Sequence, residues 1–154
     1  MAVINDSNSF NVLCADAFSG CAIEDAYIDI SSANGTCCIG GYGLQKCPAL
    51  HKLSYGSNVS AIAPSAMVDT RGTLSFVSFT SSLTSIGDYA FAEVYDRFPR
   101  IKSMDLSSCT KLESIGKYAF YNSILDASKH SLVFPSSLLS IEDAAFAYRN
   151  VSWT

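Results

Sequence analysis

Ile115-Gly116-Lys117-Tyr118-Ala119-Phe120 is the stretch on which the fold turns, because the chain writes it repeatedly. Ile86-Gly87-Asp88-Tyr89-Ala90-Phe91 and Ile141-Glu142-Asp143-Ala144-Ala145-Phe146 are clear copies, and Leu13 to Phe18, Ile39 to Leu44 and Ile62 to Met67 are weaker ones. The closing residues Phe18, Leu44, Met67, Phe91, Phe120 and Phe146 stand 26, 23, 24, 29 and 26 positions apart. A period in the twenties marks a solenoid: one such unit cannot bury its own apolar face, so units stack.

Counting back from each closing residue gives the chemistry of the unit. Five positions before it stand Leu13, Ile39, Ile62, Ile86, Ile115 and Ile141, all aliphatic. Eight before it, five of the six residues are apolar, Thr36 being the exception. One before it stand Ala17, Gly43, Ala66, Ala90, Ala119 and Ala145, so a tight turn pressed on its neighbour is expected. Steps of three and four residues between these positions predict a short helical turn. Beyond each closing residue the apolar spacing changes to two: Ile28/Ile30, Leu53/Tyr55, Val77/Phe79, Met104/Leu106 and Leu132/Phe134. That alternation predicts one half-buried strand per unit. Phe91, Phe120 and Phe146 should then line up as rings about 4.8 Å apart.

The pattern resembles the BspA-type leucine-rich repeat, whose units read Leu-x-x-Ile-x-Leu-Pro-x-x-Leu-x-x-Ile-Gly-x-x-Ala-Phe-x-x-Cys. The run from Leu132 to Phe146 matches it best, and Cys21 and Cys47 meet the trailing Cys, which Thr70, Val94, Ser123 and Arg149 replace elsewhere. The resemblance covers about residues 10–150. It implies an α/β leucine-rich-repeat solenoid, wound as a right-handed superhelix, with one short parallel strand per repeat and short helical or 3-10 turns opposite. The whole chain, 1–154, is expected to form one domain of about six repeats, the last incomplete and without a C-terminal cap. The resemblance further implies non-enzymatic recognition and adhesion, often at a cell surface, and brings no catalytic residues with it.

Composition agrees with a long apolar core and a neutral skin. Hydrophobic residues make up 49% of the chain and charged ones 16%, against roughly 25% charged in an average globular protein. A net charge of −4 argues against nucleic acid as partner. No run of apolar residues is long enough for a transmembrane helix, so no membrane insertion is expected. Met1 to Ser7 carries no basic and apolar signal pattern, while the resemblance points to the cell surface or secretion; the compartment stays open.

Candidate chemistry fails on geometry. Cys37, Cys38, Cys47 and His51 lack a paired C-x-x-C, so neither a metal nor another cofactor is expected. Cys21 and Cys47, at equivalent positions, are read as buried free thiols, since stacked Cβ atoms about 4.8 Å apart suit a disulfide poorly. His51 and His130 fall three strands apart, about 14 Å, as do Asp29 and Asp105 on the outward side. A glycosidase pair needs about 5–9.5 Å. Gly35 to Gly43 lacks the Lys and Ser/Thr of a phosphate loop, having Gly41-Tyr42 instead. The sequons at Asn34, Asn58 and Asn150 matter only for a chain exported by a eukaryote. An enzyme is not expected.

Two surfaces are left as candidates for a protein or glycan partner. The longest unit places Tyr95, Arg97, Phe98, Arg100 and Lys102 in a loop beside Lys129 and His130 of the next one, and Tyr and Arg are favoured anchors. An ordinary solvated edge is the plain alternative there. The strand face turns Asp29, Lys52, Ser54, Phe76, Ser78, Ser103, Asp105 and Ser131 outward, with Phe76 as its aromatic. At the end, Val151-Ser152-Trp153-Thr154 reads as the opening of another strand. That edge suits a second role, in which the chain docks as a structural subunit into a larger assembly.

Overall fold

The computed structural model describes residues 2–5, 18, 20–29, 38–39, 47, 49–68, 74–94, 101, 103–123 and 132–147. Ten short strands run through them: β1 (Ala2–Asn5), β2 (Asp25–Asp29), β3 (Cys38–Ile39), β4 (Lys52–Tyr55), β5 (Ala61–Ile62), β6 (Phe76–Ser78), β7 (Ser85–Ile86), β8 (Ser103–Asp105), β9 (Ser114–Ile115) and β10 (Ser140–Ile141). They form two five-stranded parallel sheets, ordered β1-β2-β4-β6-β8 and β3-β5-β7-β9-β10. From β2 to β9 each turn of the chain therefore gives one strand to each sheet. Four of the five expected strand pairs fall in or beside β2, β4, β6 and β8.

The expected helical turn is replaced. Among the described residues there is no helix; a two-residue strand and a turn stand where it was expected. Two features of the backbone explain this. The residue two before the closing one has a positive φ in every described layer, 57° at Ser65, 56° at Tyr89, 55° at Tyr118 and 54° at Ala144. A left-handed residue cannot continue a right-handed helix. The closing N–H groups also bond across layers, Met67 to the Ala90 carbonyl, Phe91 to Ala119 and Phe120 to Ala145, each at 2.7 Å. A strand followed by a sharp corner turns residues −8, −5, −1 and 0 to one side just as a helix would, so the spacing alone does not separate them.

The core is built of columns along the stack. Ile62, Ile86 and Ile115 form one, Ala66, Ala90, Ala119 and Ala145 another, and Val59, Leu83 and Leu112 a third, all buried. The ring column holds as expected: Phe91 and Phe120 lie 5.0 Å apart at 2°, Phe120 and Phe146 5.2 Å apart at 8°. The other sheet closes the core with Ala26, Leu53 and Val77 in register. At Gly87 the layers press so closely that a side chain does not fit: a Cβ there would stand 2.5 Å from the Pro64 nitrogen.

Two strand expectations need correction. Leu132 to Phe134 is not a strand; Pro135 follows it and has no N–H for a ladder, and Phe134 instead sets its ring edge-on to Phe146 at 5.6 Å. Conversely β1 precedes the first copy of the hexad, so the repeat pattern gave no warning of it.

Cys21, Cys47 and Cys109 are free thiols, and the Cys47 thiol donates to the Phe18 carbonyl at 3.1 Å, one layer away. Burial pushes the Cys109 thiol from its ordinary 9.0 up to about 11. Because the folded value lies above the unfolded one, the contribution is complete below about pH 9 and is lost as pH rises through about 11. Thermal melts from pH 8 to 11 should fall less steeply for Cys109→Ala than for the native chain.

Candidate functional site

Register, not distance from the hexad, decides what the outer face of the longer-stranded sheet presents. Backbone pairing aligns Asp25, Lys52, Phe76 and Ser103 in one row across β2, β4, β6 and β8. A second row runs Val3, Tyr27, Ser54, Ser78 and Asp105. Neighbours in a row are separated by the strand spacing of about 4.8 Å. The alternate residues Ala26, Leu53 and Val77 are buried, which leaves these rows on the solvent side.

Most of the expected strand face is thereby assembled. Lys52, Ser78 and Asp105 are exposed, Ser54 is half-buried, and Phe76 keeps 49% of its surface in solvent. Asp29 and Ser103 take register positions in β2 and β8. One expectation fails: Asp29 and Asp105 do not share a row, for Asp105 aligns with Tyr27, and Asp29 pairs with Asn5 of β1. The units differ in length, so equal positions in the alternation need not be equal positions in the ladder.

The face also holds groups that alternation alone passed over. Tyr27 adds a half-buried aromatic next to the Phe76 row. His51, just before β4, sets its Nε2 3.2 Å from the Asp25 Oδ1, a contact that becomes an ion pair when the imidazole is protonated. At the far side the Ser107 hydroxyl and then its N–H, at 2.8 Å, hold the Asp105 carboxyl below the usual carboxylate range. That carboxyl is a fixed, charged acceptor.

The loop candidates Tyr95, Arg97, Phe98, Arg100, Lys102, Lys129 and His130 lie outside the described residues, as do Ser131 and the Val151–Thr154 edge. Among the described residues no three metal-ligating side chains gather, and no helix is long and apolar enough to cross a membrane. What the face can do is hydrogen-bond and pack: hydroxyls and charges surround one protruding ring.

The model of the family described as BspA type leucine-rich repeat region (6 copies) matches residues 2–97. The chain belongs to the BspA-type leucine-rich-repeat family. No curated protein and no solved structure matches it. BspA-type repeat proteins are typically surface- or adhesion-related and generally non-enzymatic. The two clear hexads at Ile115 and Ile141 lie beyond the matched span, yet β9 and β10 continue the same ladder, with Ile115 paired to Ile86 and Ile141 to Ile115. The BspA-type geometry therefore extends to the last described layer.

Proposed function

We propose that this chain is a non-enzymatic recognition module of the adhesion or scaffold type, engaging a protein or glycan through the strand face. The observation that carries the reading is Phe76: a half-exposed ring in row with Lys52 and Ser103, beside the row of Ser54, Ser78 and Asp105. An aromatic ring with charged and hydroxyl neighbours can anchor a partner while the polar groups select it. The right-handed winding expected of parallel strands joined by return segments would keep all outer rows on one side. The loop patch of Tyr95, Arg97, Phe98, Arg100, Lys102, Lys129 and His130 is proposed as a flanking contact.

The test is capture of whatever co-purifies with the native chain. Phe76→Ser combined with Lys52→Glu should abolish capture and leave stability within about 0.5 kcal/mol, as for surface changes generally. Undiminished capture would reject the strand face, and Arg97→Glu with Arg100→Glu would then examine the loop.

A second reading has its own observation. The last described layer exposes Leu139 at 81%, Val133 at 57% and Ile141 at 46%, next to the edge strand β10. An apolar face beside a strand edge that no described residue pairs suits docking of the chain as a structural subunit in a larger assembly. Light scattering that stays monomeric at all concentrations would remove self-assembly from this reading.

A further inference from the structure

Cys21 and Cys47 both follow a closing residue by three positions, and strictly parallel side chains there would stay too far apart to bridge. The ladder counts them differently. Cys21 stands four residues before Asp25, whereas Cys47 stands five before Lys52, the strand partner of Asp25. The Leu50 N–H, bonded to the Cys47 carbonyl at 3.3 Å, closes a turn within that longer approach. The two cysteines are therefore offset by one residue, and Cys47 turns its side chain back on the layer before it.

The Cys47 thiol donates to the Phe18 carbonyl at 3.1 Å, and the same oxygen accepts the Cys21 N–H, also at 3.1 Å. Gly20, with a φ of 77°, occupies the third position of that turn. Burial pushes the Cys47 thiol up from its ordinary 9.0; the Cys21 N–H pulls it down, a charge on the Cys21 sulfur pushes it up again, and the Gly20 N–H pulls it down. Every influence but burial comes from Gly20 and Cys21, so the Cys47 sulfur is seated against that dipeptide. Cys47 is fully buried and Cys21 is half-buried. One thiol of the pair is open to a reagent, and the other is held beside it.

We propose that Cys21 is a site of thiol modification by low-molecular-weight disulfides of the glutathione class, and that Cys47 resolves the adduct to a disulfide between the two layers. The Cys21 thiolate attacks one sulfur of oxidised glutathione. The glutathione S–S bond breaks, and the departing thiolate takes up the proton that Cys21 lost. Cys47, as thiolate, then attacks the Cys21 sulfur, and the second glutathione leaves with the Cys47 proton. Two protein thiols are oxidised, and one glutathione disulfide is reduced to two thiols. The N–H groups of Cys21 and Gly20 steady the Cys47 thiolate for the second step. The site is independent of the strand face and of the apolar last layer.

Reduced native chain incubated with oxidised glutathione, quenched at intervals by alkylation and mapped by peptide mass spectrometry, tests it. A glutathione adduct on Cys21 should appear first and decay into a Cys21–Cys47 cross-link, while Cys109 stays a thiol. The cross-linked chain should melt about 5–10 °C higher, and dithiothreitol should reverse the gain. In Cys47→Ser the Cys21 adduct should become the final product; in Cys21→Ser the Cys47 thiol should stay free. Cys109→Ser should change neither step. The proposal is overturned if Cys21 takes up no glutathione, if its adduct persists in the native chain, or if Cys21 bridges to Cys14, Cys37 or Cys38 instead of Cys47. The native time course decides the matter even where Cys47→Ser fails to fold.

Discussion

Phe120→Ala should cost the fold about 4–5 kcal/mol, the upper range for a buried phenylalanine. Its side chain is 1% exposed and carries a parallel ring on either side, at 5.0 and 5.2 Å. Truncation opens a cavity in the middle of the column and removes two stacking contacts, each worth about 0.5–1.5 kcal/mol beyond burial. The backbone cannot close the gap, because the Phe120 N–H stays tied to the Ala145 carbonyl and the Phe91 N–H to the Ala119 carbonyl. Phe146→Ala is the internal comparison. Half-buried, with one parallel ring and the edge contact of Phe134, it should lose about half as much. Urea unfolding followed by circular dichroism measures both. Equal losses would mean that the column adds nothing to burial alone.

Gly116→Ala follows, at about 3 kcal/mol. A Cβ there would meet the layer before it, 2.6 Å from the Asp88 nitrogen and 2.8 Å from the Gly87 carbonyl carbon. Both atoms are backbone. Neither can swing aside, and pushing the layers apart would stretch the bond from the Gly116 N–H to the Ile86 carbonyl, now 2.8 Å. Ala63 and Glu142 take this slot in other layers, so it is the close local approach at Gly116, not the slot as such, that excludes a side chain. Gly20→Ala separates crowding from backbone strain. Gly20 has a positive φ of 77° and nothing within 4 Å of its would-be Cβ, so its loss should be about 1 kcal/mol. If Gly116→Ala melts like the native chain, the layers are not as closely packed as the geometry states.

Much of this was legible in the residues, and the reasons differ from column to column. Ile86 and Ile115 could be placed because a strand residue facing a core must be apolar in every layer. Ala90 and Ala119 were legible as close contacts because nothing larger occurs there. The corner was not. Tyr89 and Tyr118 give no hint of a positive φ, since the residues that announce one are glycine and asparagine. Strand against helical turn was lost for a related reason: two residues of strand are too few to show an alternation. The candidate face was legible as Lys52, Phe76 and Ser78, while the rows that join them depend on pairing. Pairing set Asp105 beside Ser78 and aligned it with Tyr27, and brought His51 against Asp25.

One consequence follows from the bonds that run between layers. In β7, β9 and β10, and in the corners beside them, donors and acceptors point along the axis of the stack, and each layer grips only the one above and the one below. A pull along that axis would part a single interface at a time, like opening a zip, so the load the coil withstands is set by its weakest joint and not by its length.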